Sequence, residues 1–152
     1  MKKLAVIILL SVSLTANSQL ITDSLLIEGH YRTFIYNQPA VDLSGGSLMF
    51  VIHGSGGSSS NMLPQTKKLE AIAAAEKLLL VYPNGYQRYW NECRKYSTAA
   101  ANKENINEEG FFTAMISFLE NKYHINKNKV FSSGMSAGGH MSYKLALTMP
   151  GK

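Results

Sequence analysis

Short apolar runs divide the chain and predict strands. Residues 47–52 and 78–82 are almost entirely apolar, and each run stops abruptly, the first at a glycine-rich segment and the second at Pro83-Asn84-Gly85. Runs of this length are typical of strands buried on both faces of a sheet. Upstream, residues 25–27 and 31–36 are rich in apolar, β-branched and aromatic side chains and are separated by Gly29, which predicts two paired strands.

Between and after these runs, apolar positions recur at helical spacing. Leu69, Ile72 and Ala73 predict a helix that Asn61 caps. A broader apolar stripe predicts a second helix. The stripe consists of Phe111, Phe112, Met115, Ile116, Phe118 and Leu119.

Three further segments complete the pattern. Glu108 and Glu109 precede the stripe, in the first turn of its predicted helix, where the helix dipole favours acidic residues. Residues 129–132 predict a short strand and residues 137–149 a third helix, whereas residues 86–105 are polar and aperiodic, which indicates a long surface loop. Short buried strands that alternate with helices predict an α/β fold with a mainly parallel sheet.

The first 18 residues have the pattern of a signal peptide. A positively charged start is followed by an apolar run at residues 4–14 and by small residues at 16–18. The apolar run is shorter than the roughly 20 residues that a membrane-spanning helix needs. We therefore expect residues 1–18 to be removed on export. Residues 19–152 would then form one secreted domain, extracellular or periplasmic, with no attachment to a membrane.

Charge and composition exclude several kinds of partner. The net charge of +5 falls to +3 when Lys2 and Lys3 leave with the signal peptide, and the other basic residues are scattered. This pattern does not indicate nucleic-acid binding. No cluster of cysteine, histidine and carboxylate residues has metal-ligand spacing, so we expect no metal and no other cofactor. The single cysteine, Cys93, is either a buried thiol or half of a disulfide whose partner is absent from this sequence.

A G-x-S-x-G motif stands between the strand predicted at residues 129–132 and the helix that follows it. It reads Gly134-Met135-Ser136-Ala137-Gly138. In such a turn the serine takes a strained backbone conformation, and glycines two residues to either side remove the Cβ atoms that would clash. We predict that Ser136 is an exposed nucleophile. A further glycine, residue 139, lets the helix approach the sheet.

A glycine-rich loop follows the first buried strand, with the sequence HGSGG at residues 53–57. Acyl transfer builds negative charge on a carbonyl oxygen, and the loss of one backbone donor to it costs about 3 kcal/mol. We predict that the N–H groups of Ala137 and Ser55 form this oxyanion hole, with Gly56 as the alternative to Ser55. A phosphate-binding loop is the rival interpretation, but the segment lacks the Gly-Lys-Ser/Thr ending.

Taken together, these motifs resemble the polyhydroxybutyrate depolymerase and feruloyl esterase family. The resemblance is carried by HGSGG at residues 53–57, VYPNG at 81–85, WN at 90–91 and GMSAGGHM at 134–141. GHYRTF at residues 29–34 also looks like the opening strand of that family. The match runs from about Gly29 to the end of the sequence. The order of the motifs makes it more specific than the G-x-S-x-G turn alone, which is called the nucleophile elbow.

The resemblance implies a secreted serine esterase of the α/β-hydrolase fold that hydrolyses carboxylic esters through a Ser136 acyl-enzyme. Its substrates would be polyhydroxyalkanoate, or polysaccharide that carries feruloyl or acetyl esters. The segment after the second buried strand should lie at the carboxyl edge of the sheet, so Tyr86, Tyr89 and Trp90 are expected to line the substrate pocket. His53 is expected to border this pocket while holding the glycine-rich loop through hydrogen bonds. Aromatic residues in a loop often only cover the core, so that alternative stays open for all three aromatic residues.

The catalytic triad of this fold runs in the order serine, acidic residue, histidine. Residues 137–152 contain no acidic residue, and their one histidine is His140. His140 lies one turn into a helix that runs away from the substrate, so we expect a polar or structural role for it. Asp23 and Asp42 lie far upstream. We therefore expect an N-terminal portion of an α/β-hydrolase whose C-terminal strands, catalytic acid and base are missing, with little activity by itself.

Two other functions fit the same pattern. Serine exopeptidases share the elbow, and comparison of ester with amide substrates separates them from esterases. A carbohydrate-binding relic would keep the pocket and lose the chemistry, and binding of xylan fragments without labelling of a serine would indicate it.

Overall fold

The computed structural model describes residues 19–38 and 41–151, so the signal peptide predicted at residues 1–18 lies outside the described residues. The strands are β1 (Gln19–Ile27), β2 (His30–Gln38), β3 (Ser47–Ile52), β4 (Leu78–Pro83) and β5 (Val130–Gly134). The helices are α1 (Ser59–Ala75), α2 (Ala100–Lys103), α3 (Glu108–Tyr123) and α4 (Ala137–Thr148). The alternation of strands and helices from β3 onward confirms the predicted α/β class.

The strands form one sheet in the order β1-β2-β4-β3-β5. β4, β3 and β5 are parallel, whereas β1 with β2 and β2 with β4 are antiparallel pairs. The sheet is therefore mixed, and the prediction of a mainly parallel sheet holds only for β3, β4 and β5. Glu28 (φ 48°) and Gly29 (φ 85°) form the turn between β1 and β2. A two-residue turn of this kind joins antiparallel strands.

Helices cover both faces of the sheet. Successive residues of β3 and β4 point to opposite faces, as the two-residue period of a strand requires. Phe50 and Val81 pack in one apolar cluster with α3 and α4, whereas Val51 and Leu80 pack in a second cluster with α1. The stripe predicted at residues 111–119 faces the first cluster, and all of its members except Phe118 are buried.

The parallel strands place three connections at one edge of the sheet. β3, β4 and β5 run in the same direction, so the segments that follow Ile52, Pro83 and Gly134 leave the sheet at the same edge. Ligands of open α/β sheets bind at this edge. The glycine-rich loop and the predicted elbow are therefore neighbours.

The start of α1 differs from the prediction. Ser58, not Asn61, precedes the first helical turn, with an extended backbone (φ −154°, ψ 166°). The N–H of Ser59 donates to Oδ1 of Asn84, 2.7 Å away, so a residue of the segment after β4 satisfies this helix end. Ile72, which was predicted on the apolar face of the helix, is 56% exposed.

Residues 86–105 are not wholly a surface loop, as the sequence indicated. The segment contains α2, and the side chains of Trp90 and Glu92 within it are buried. Cys93 is exposed with a free thiol, which excludes the buried-thiol alternative. A polar and aperiodic sequence thus hides a segment that is fixed inside the fold by a few long-range contacts.

Candidate active site

Ser136 occupies a sharp turn between β5 and α4. Its backbone has φ 54° and ψ −120°, a conformation that residues with a Cβ seldom adopt, and its side chain is exposed. Strain of this kind persists only where the surrounding structure enforces it, and it is common at functional sites. The turn therefore presents the Ser136 hydroxyl above the sheet edge, as a nucleophile requires.

Two glycines make this turn possible. A Cβ at Gly138 would lie 2.1 Å from the carbonyl oxygen of Ile52, and a Cβ at Gly134 would lie 2.3 Å from the carbonyl of Gly138. Both distances are far below any tolerated contact. At Gly139 the nearest atom would be the carbonyl oxygen of Gly134 at 3.3 Å, so the close approach of α4 to the sheet depends chiefly on Gly138.

The glycine-rich loop touches the elbow directly. A Cβ at Gly54 would lie 3.2 Å from the carbonyl oxygen of Met135 and 3.4 Å from the Cβ of Ser136. The next residue, Ser55, is exposed. The loop and the nucleophile are therefore close enough to bind one carbonyl group of a substrate between them.

The hydrogen bonds of the loop distinguish Ser55 from Gly56 as the oxyanion donor. The N–H of Gly56 donates to the carbonyl of Arg88 at 2.9 Å, so it is already engaged. Within the described parts of the chain, the N–H groups of Ser55 and Ala137 donate to no acceptor. Ala137 lies in the first turn of α4, where N–H groups have no partner within the helix. The geometry favours Ser55 and Ala137.

His53 holds the base of the glycine-rich loop. The N–H of Gly85 donates to its Nε2 at 3.0 Å, so Nδ1 carries the proton and donates to the carbonyl of Gly54 at 2.7 Å. Burial lowers the pKa of His53 below its ordinary value of 6.5, the hydrogen bond that the ring donates to the Gly54 carbonyl opposes this shift, and the charge of Arg88 lowers the pKa further. With 1% exposure and both ring nitrogens engaged, His53 is a structural residue rather than the substrate contact that was expected.

Trp90 also differs from the expectation that it lines a substrate pocket. Its side chain is 1% exposed, and its indole N–H donates to the carbonyl of His53 at 2.8 Å. The indole packs 4.9 Å from the ring of His53 and 6.0 Å from that of Phe112. Trp90 therefore supports the loop from inside the core, which is the alternative that the sequence left open.

The contacts of Tyr86 are with residues outside the elbow. Its hydroxyl donates to the carboxylate of Glu104 at 2.9 Å, and its ring lies edge-on to His30 at 5.0 Å. A cleft of about 350 Å³ beside it is lined by residues of β2, by the segment after β4 and by Gly57 of the glycine-rich loop, and Ser136 is not among its walls. The structure thus does not bring Tyr86 together with the nucleophile.

A second cleft opens beside the glycine-rich loop instead. It has a volume of about 580 Å³, and its walls include Ser55, Tyr89, Arg94 and Tyr96. Tyr89 is 37% exposed and Tyr96 is 87% exposed. Both aromatic side chains adjoin the predicted oxyanion donor. Tyr89 was expected to line a pocket, whereas Tyr96 was not.

Glu92 is a further residue that sequence reasoning missed. Its carboxylate is fully buried, and one oxygen lies 3.7 Å from Nδ1 of His140. A single glutamate inside a polar segment gives no sign of burial, because the contacts that enclose it come from residues distant along the chain. His140 therefore has an acidic neighbour, although residues 137–152 contain none.

Two negative findings apply to the described residues. Residues 19–38 and 41–151 contain no helix with both the length and the apolar character that crossing a bilayer requires. In the same residues, no three or more histidine, cysteine or acidic side chains come together as a candidate metal site.

Comparison with known proteins places this geometry in a known fold. No protein-family model matches the sequence, and no curated protein matches it significantly. A fluorophosphonate-binding serine hydrolase of Staphylococcus aureus matches 89% of this chain with 18% identity and a TM-score of 0.64. An S-formylglutathione hydrolase from Agrobacterium tumefaciens matches 93% with 15% identity and a TM-score of 0.64. A ferulic acid esterase matches 90% with 16% identity and a TM-score of 0.65.

The chain has an α/β-hydrolase fold. It spans only about half of the length of these structures, namely 54%, 57% and 57% of the three chains. At such low identity the likeness establishes the fold and leaves the chemistry to the residues of the site. In enzymes of this fold, a serine on a sharp strand-to-helix turn can serve as the nucleophile, and the loop after an earlier strand can supply an oxyanion donor.

Proposed function

We propose that the protein to which this chain belongs is a carboxylic ester hydrolase that acts through an acyl-enzyme on Ser136. The observation that carries the proposal is an exposed serine at φ 54° with two free N–H groups, those of Ser55 and Ala137, on neighbouring segments. This arrangement provides a nucleophile and an oxyanion hole for one substrate carbonyl.

The reaction follows from these positions. Ser136 Oγ attacks the ester carbonyl carbon and gives its proton to a general base, while the negative charge on the former carbonyl oxygen is stabilised by both N–H groups. Collapse of the tetrahedral intermediate expels the alcohol, which takes up the proton. Water then attacks the acyl-enzyme, releases the carboxylic acid and restores Ser136.

We place the general base and its carboxylate outside the described residues. His53 has both ring nitrogens in hydrogen bonds, and the ring of His30 packs edge-on to that of Tyr86. His140 lies beside Glu92, but in the described part of the chain no hydrogen bond joins its ring to Ser136. This chain spans about half of the length of similar structures, which supports a base and a carboxylate supplied by further residues of the protein.

The substrate class and the location belong to the same proposal. The sequence resemblance supports polyhydroxyalkanoate, or feruloyl and acetyl esters of polysaccharide, and one similar structure is a ferulic acid esterase. The pattern of residues 1–18 supports export, with a mature protein that begins near Gln19. N-terminal sequencing of the exported protein tests the second point.

Steady-state hydrolysis by the natural protein tests the proposal. Wild type should hydrolyse p-nitrophenyl acetate, and Ser136→Ala should lower kcat by about 10⁴-fold or more, since the residual rate comes from binding and the oxyanion hole alone. Ser133→Ala, at an exposed serine on β5, is the matched control and should keep the wild-type rate.

Other outcomes of this experiment decide against the proposal. Faster turnover of a p-nitroanilide than of the matching ester would indicate a peptidase. Binding of xylan fragments with no hydrolysis of any ester would indicate a carbohydrate-binding relic.

A further inference from the structure

Residues 90–94, which we call the bridging segment, lie between the glycine-rich loop and α4. At one end, the indole N–H of Trp90 donates to the carbonyl of His53 at 2.8 Å. At the next residue, the ammonium group of Lys144 on α4 donates to the carbonyl of Asn91 at 2.8 Å. The segment therefore contacts both elements that build the candidate site.

Glu92 is the buried centre of this segment. Its carboxylate is fully buried and accepts hydrogen bonds from the backbone N–H of Arg94, at 2.8 Å, and from Nε of the same residue. One of its oxygens is also the neighbour of the His140 ring on α4, at 3.7 Å. A buried carboxylate needs such partners, because an unpaired one is strongly destabilising.

Arg94 extends these contacts to the oxyanion loop. Its Nη2 donates to Oγ of Ser55 at 3.1 Å, while Nε stays with Glu92. The planar guanidinium holds the two contacts in a fixed relation, which a lysine side chain cannot do. A continuous set of polar contacts thus joins His140, Glu92, Arg94 and Ser55.

We propose that Glu92 and Arg94 are positioning residues that fix the Ser55 N–H as an oxyanion donor. The inference rests on the proposed function. Ser55 is exposed. Hydrogen bonds to His53 and Arg88 hold the adjoining Gly54 and Gly56, and the contact from Arg94 holds the side chain of Ser55 itself. An oxyanion donor must lie within about 3 Å of the developing charge, and a displacement of about 1 Å can cost about 100-fold in rate.

Kinetics of the natural protein with p-nitrophenyl acetate test this role. Arg94→Ala and Ser55→Ala should each lower kcat by about tenfold with little change in KM, because an oxyanion donor acts in the transition state. Ser55→Ala removes only a hydroxyl group from the loop surface, so it tests the contact even where Arg94→Ala folds poorly. Ser55→Thr, which keeps a hydroxyl acceptor, should restore most of the rate.

A double-mutant cycle adds a criterion that general destabilisation does not meet. Arg94→Ala with Ser55→Ala should be no slower than either single variant, since both remove the same contact. Lys95→Ala, at a neighbouring basic residue outside this set of contacts, is the control and should keep the wild-type kcat.

The results separate this inference from the proposed function. Hydrolysis that depends on Ser136 but is unaffected by Arg94→Ala and Ser55→Ala overturns the inference alone. A loss confined to KM also overturns it, because Arg94 would then bind substrate instead of positioning the loop. Absence of any hydrolysis that depends on Ser136 overturns both.

Discussion

At the scale of single residues, the site depends on two glycines, at positions where any Cβ atom would clash. Gly134 and Gly138 face each other across the elbow, and Gly138 also lies against the last carbonyl of β3. Side chains at these two positions would push α4 away from the sheet. The Ala137 N–H, which belongs to the first turn of that helix, would move with it.

Two alanine substitutions at neighbouring glycines test this packing. Gly138→Ala places a Cβ 2.1 Å from the Ile52 carbonyl oxygen and should lower the free energy of unfolding by about 3 kcal/mol. Gly139→Ala, one residue later, is the matched control, with its nearest atom at 3.3 Å. Since alanine favours helix over glycine by about 1 kcal/mol, the control should be close to neutral in urea unfolding. Equal losses in both variants would contradict the packing argument.

His53 makes the same loop sensitive to acid. Burial lowers its pKa in the folded protein below 6.5, the ordinary value. Between the lowered pKa and 6.5, the unfolded chain therefore binds more protons than the folded one. The contribution of His53 to the free energy of unfolding is fully present above about pH 6.5. It is lost as the pH falls from 6.5 through the lowered pKa of the folded protein. Protonation of Nε2 would also replace the acceptor of the Gly85 N–H by a second donor, so this hydrogen bond would be lost.

The prediction concerns the slope of stability against pH. The free energy of unfolding of the wild type should fall as the pH is lowered below about 6.5, as measured by urea unfolding at several pH values. His53→Asn should be less stable at pH 7, because Gly85 and Gly54 lose hydrogen-bond partners, and its stability should fall less steeply with pH. A variant with the wild-type slope would show that His53 does not carry the effect.

At the scale of elements, a buried ion pair joins β2 to α3. Arg32 donates to Glu108 at 2.8 Å, with side chains that are 2% and 0% exposed. The guanidinium also lies 4.4 Å from the ring centroid of Phe111. Burial raises the pKa of Glu108 above its ordinary value, although the charge of Arg32 and a hydrogen bond from the Asn91 N–H lower it. For the ionised carboxylate, the unfavourable effect of burial is thus larger than the stabilisation that its partners provide.

This balance predicts unequal effects of single and double replacements. Glu108→Gln should lower the free energy of unfolding by about 3–5 kcal/mol, because it leaves the Arg32 charge buried without a partner. Arg32→Met with Glu108→Met should cost far less, since an apolar pair needs no desolvation. Glu109→Gln, at the partly exposed neighbour, should be nearly neutral. A double variant that loses as much free energy of unfolding as Glu108→Gln, or more, in urea unfolding would contradict this account.

The elements also divide by what the sequence can predict. The strands at residues 47–52 and 78–82, the stripe of α3 and the elbow follow from local patterns, because a strand or helix face repeats along the chain. The start of α1 does not, since Asn84 supplies its hydrogen bond from 25 residues away. The burial of Trp90 and Glu92 depends on similar contacts, such as the one to His53 across 37 residues. Such pairings are decided by the assembled fold.

At the scale of the whole molecule, the β5 side of the sheet carries part of the exposed apolar surface. β5 pairs with β3, and along its other edge it has no strand partner in the described part of the chain. Beside it lies a groove of about 340 Å³ with apolar walls from α3, β5 and α4. Large exposed apolar side chains gather on β5, the elbow and α4, namely Phe131, Met135, Tyr143 and Leu147.

This surface predicts the behaviour of residues 19–152 as an isolated polypeptide. A polypeptide of residues 19–152 should self-associate as its concentration rises, because unpaired strand edges and apolar patches drive association. Phe131→Glu should weaken this association in sedimentation velocity experiments. Tyr31→Glu, at an exposed aromatic residue on β2, is the control and should leave it unchanged. A wild-type polypeptide that stays monomeric would contradict the prediction.

The central claim is that Ser136 is the nucleophile, and mapping of a covalent adduct tests it most directly. The natural protein would be treated with a fluorophosphonate, digested and analysed by mass spectrometry. We predict one adduct, on Ser136, which disappears in Ser136→Ala and persists in Ser133→Ala. An adduct on another serine, or no adduct in a protein that hydrolyses esters, would contradict the assignment of the elbow as the reacting centre.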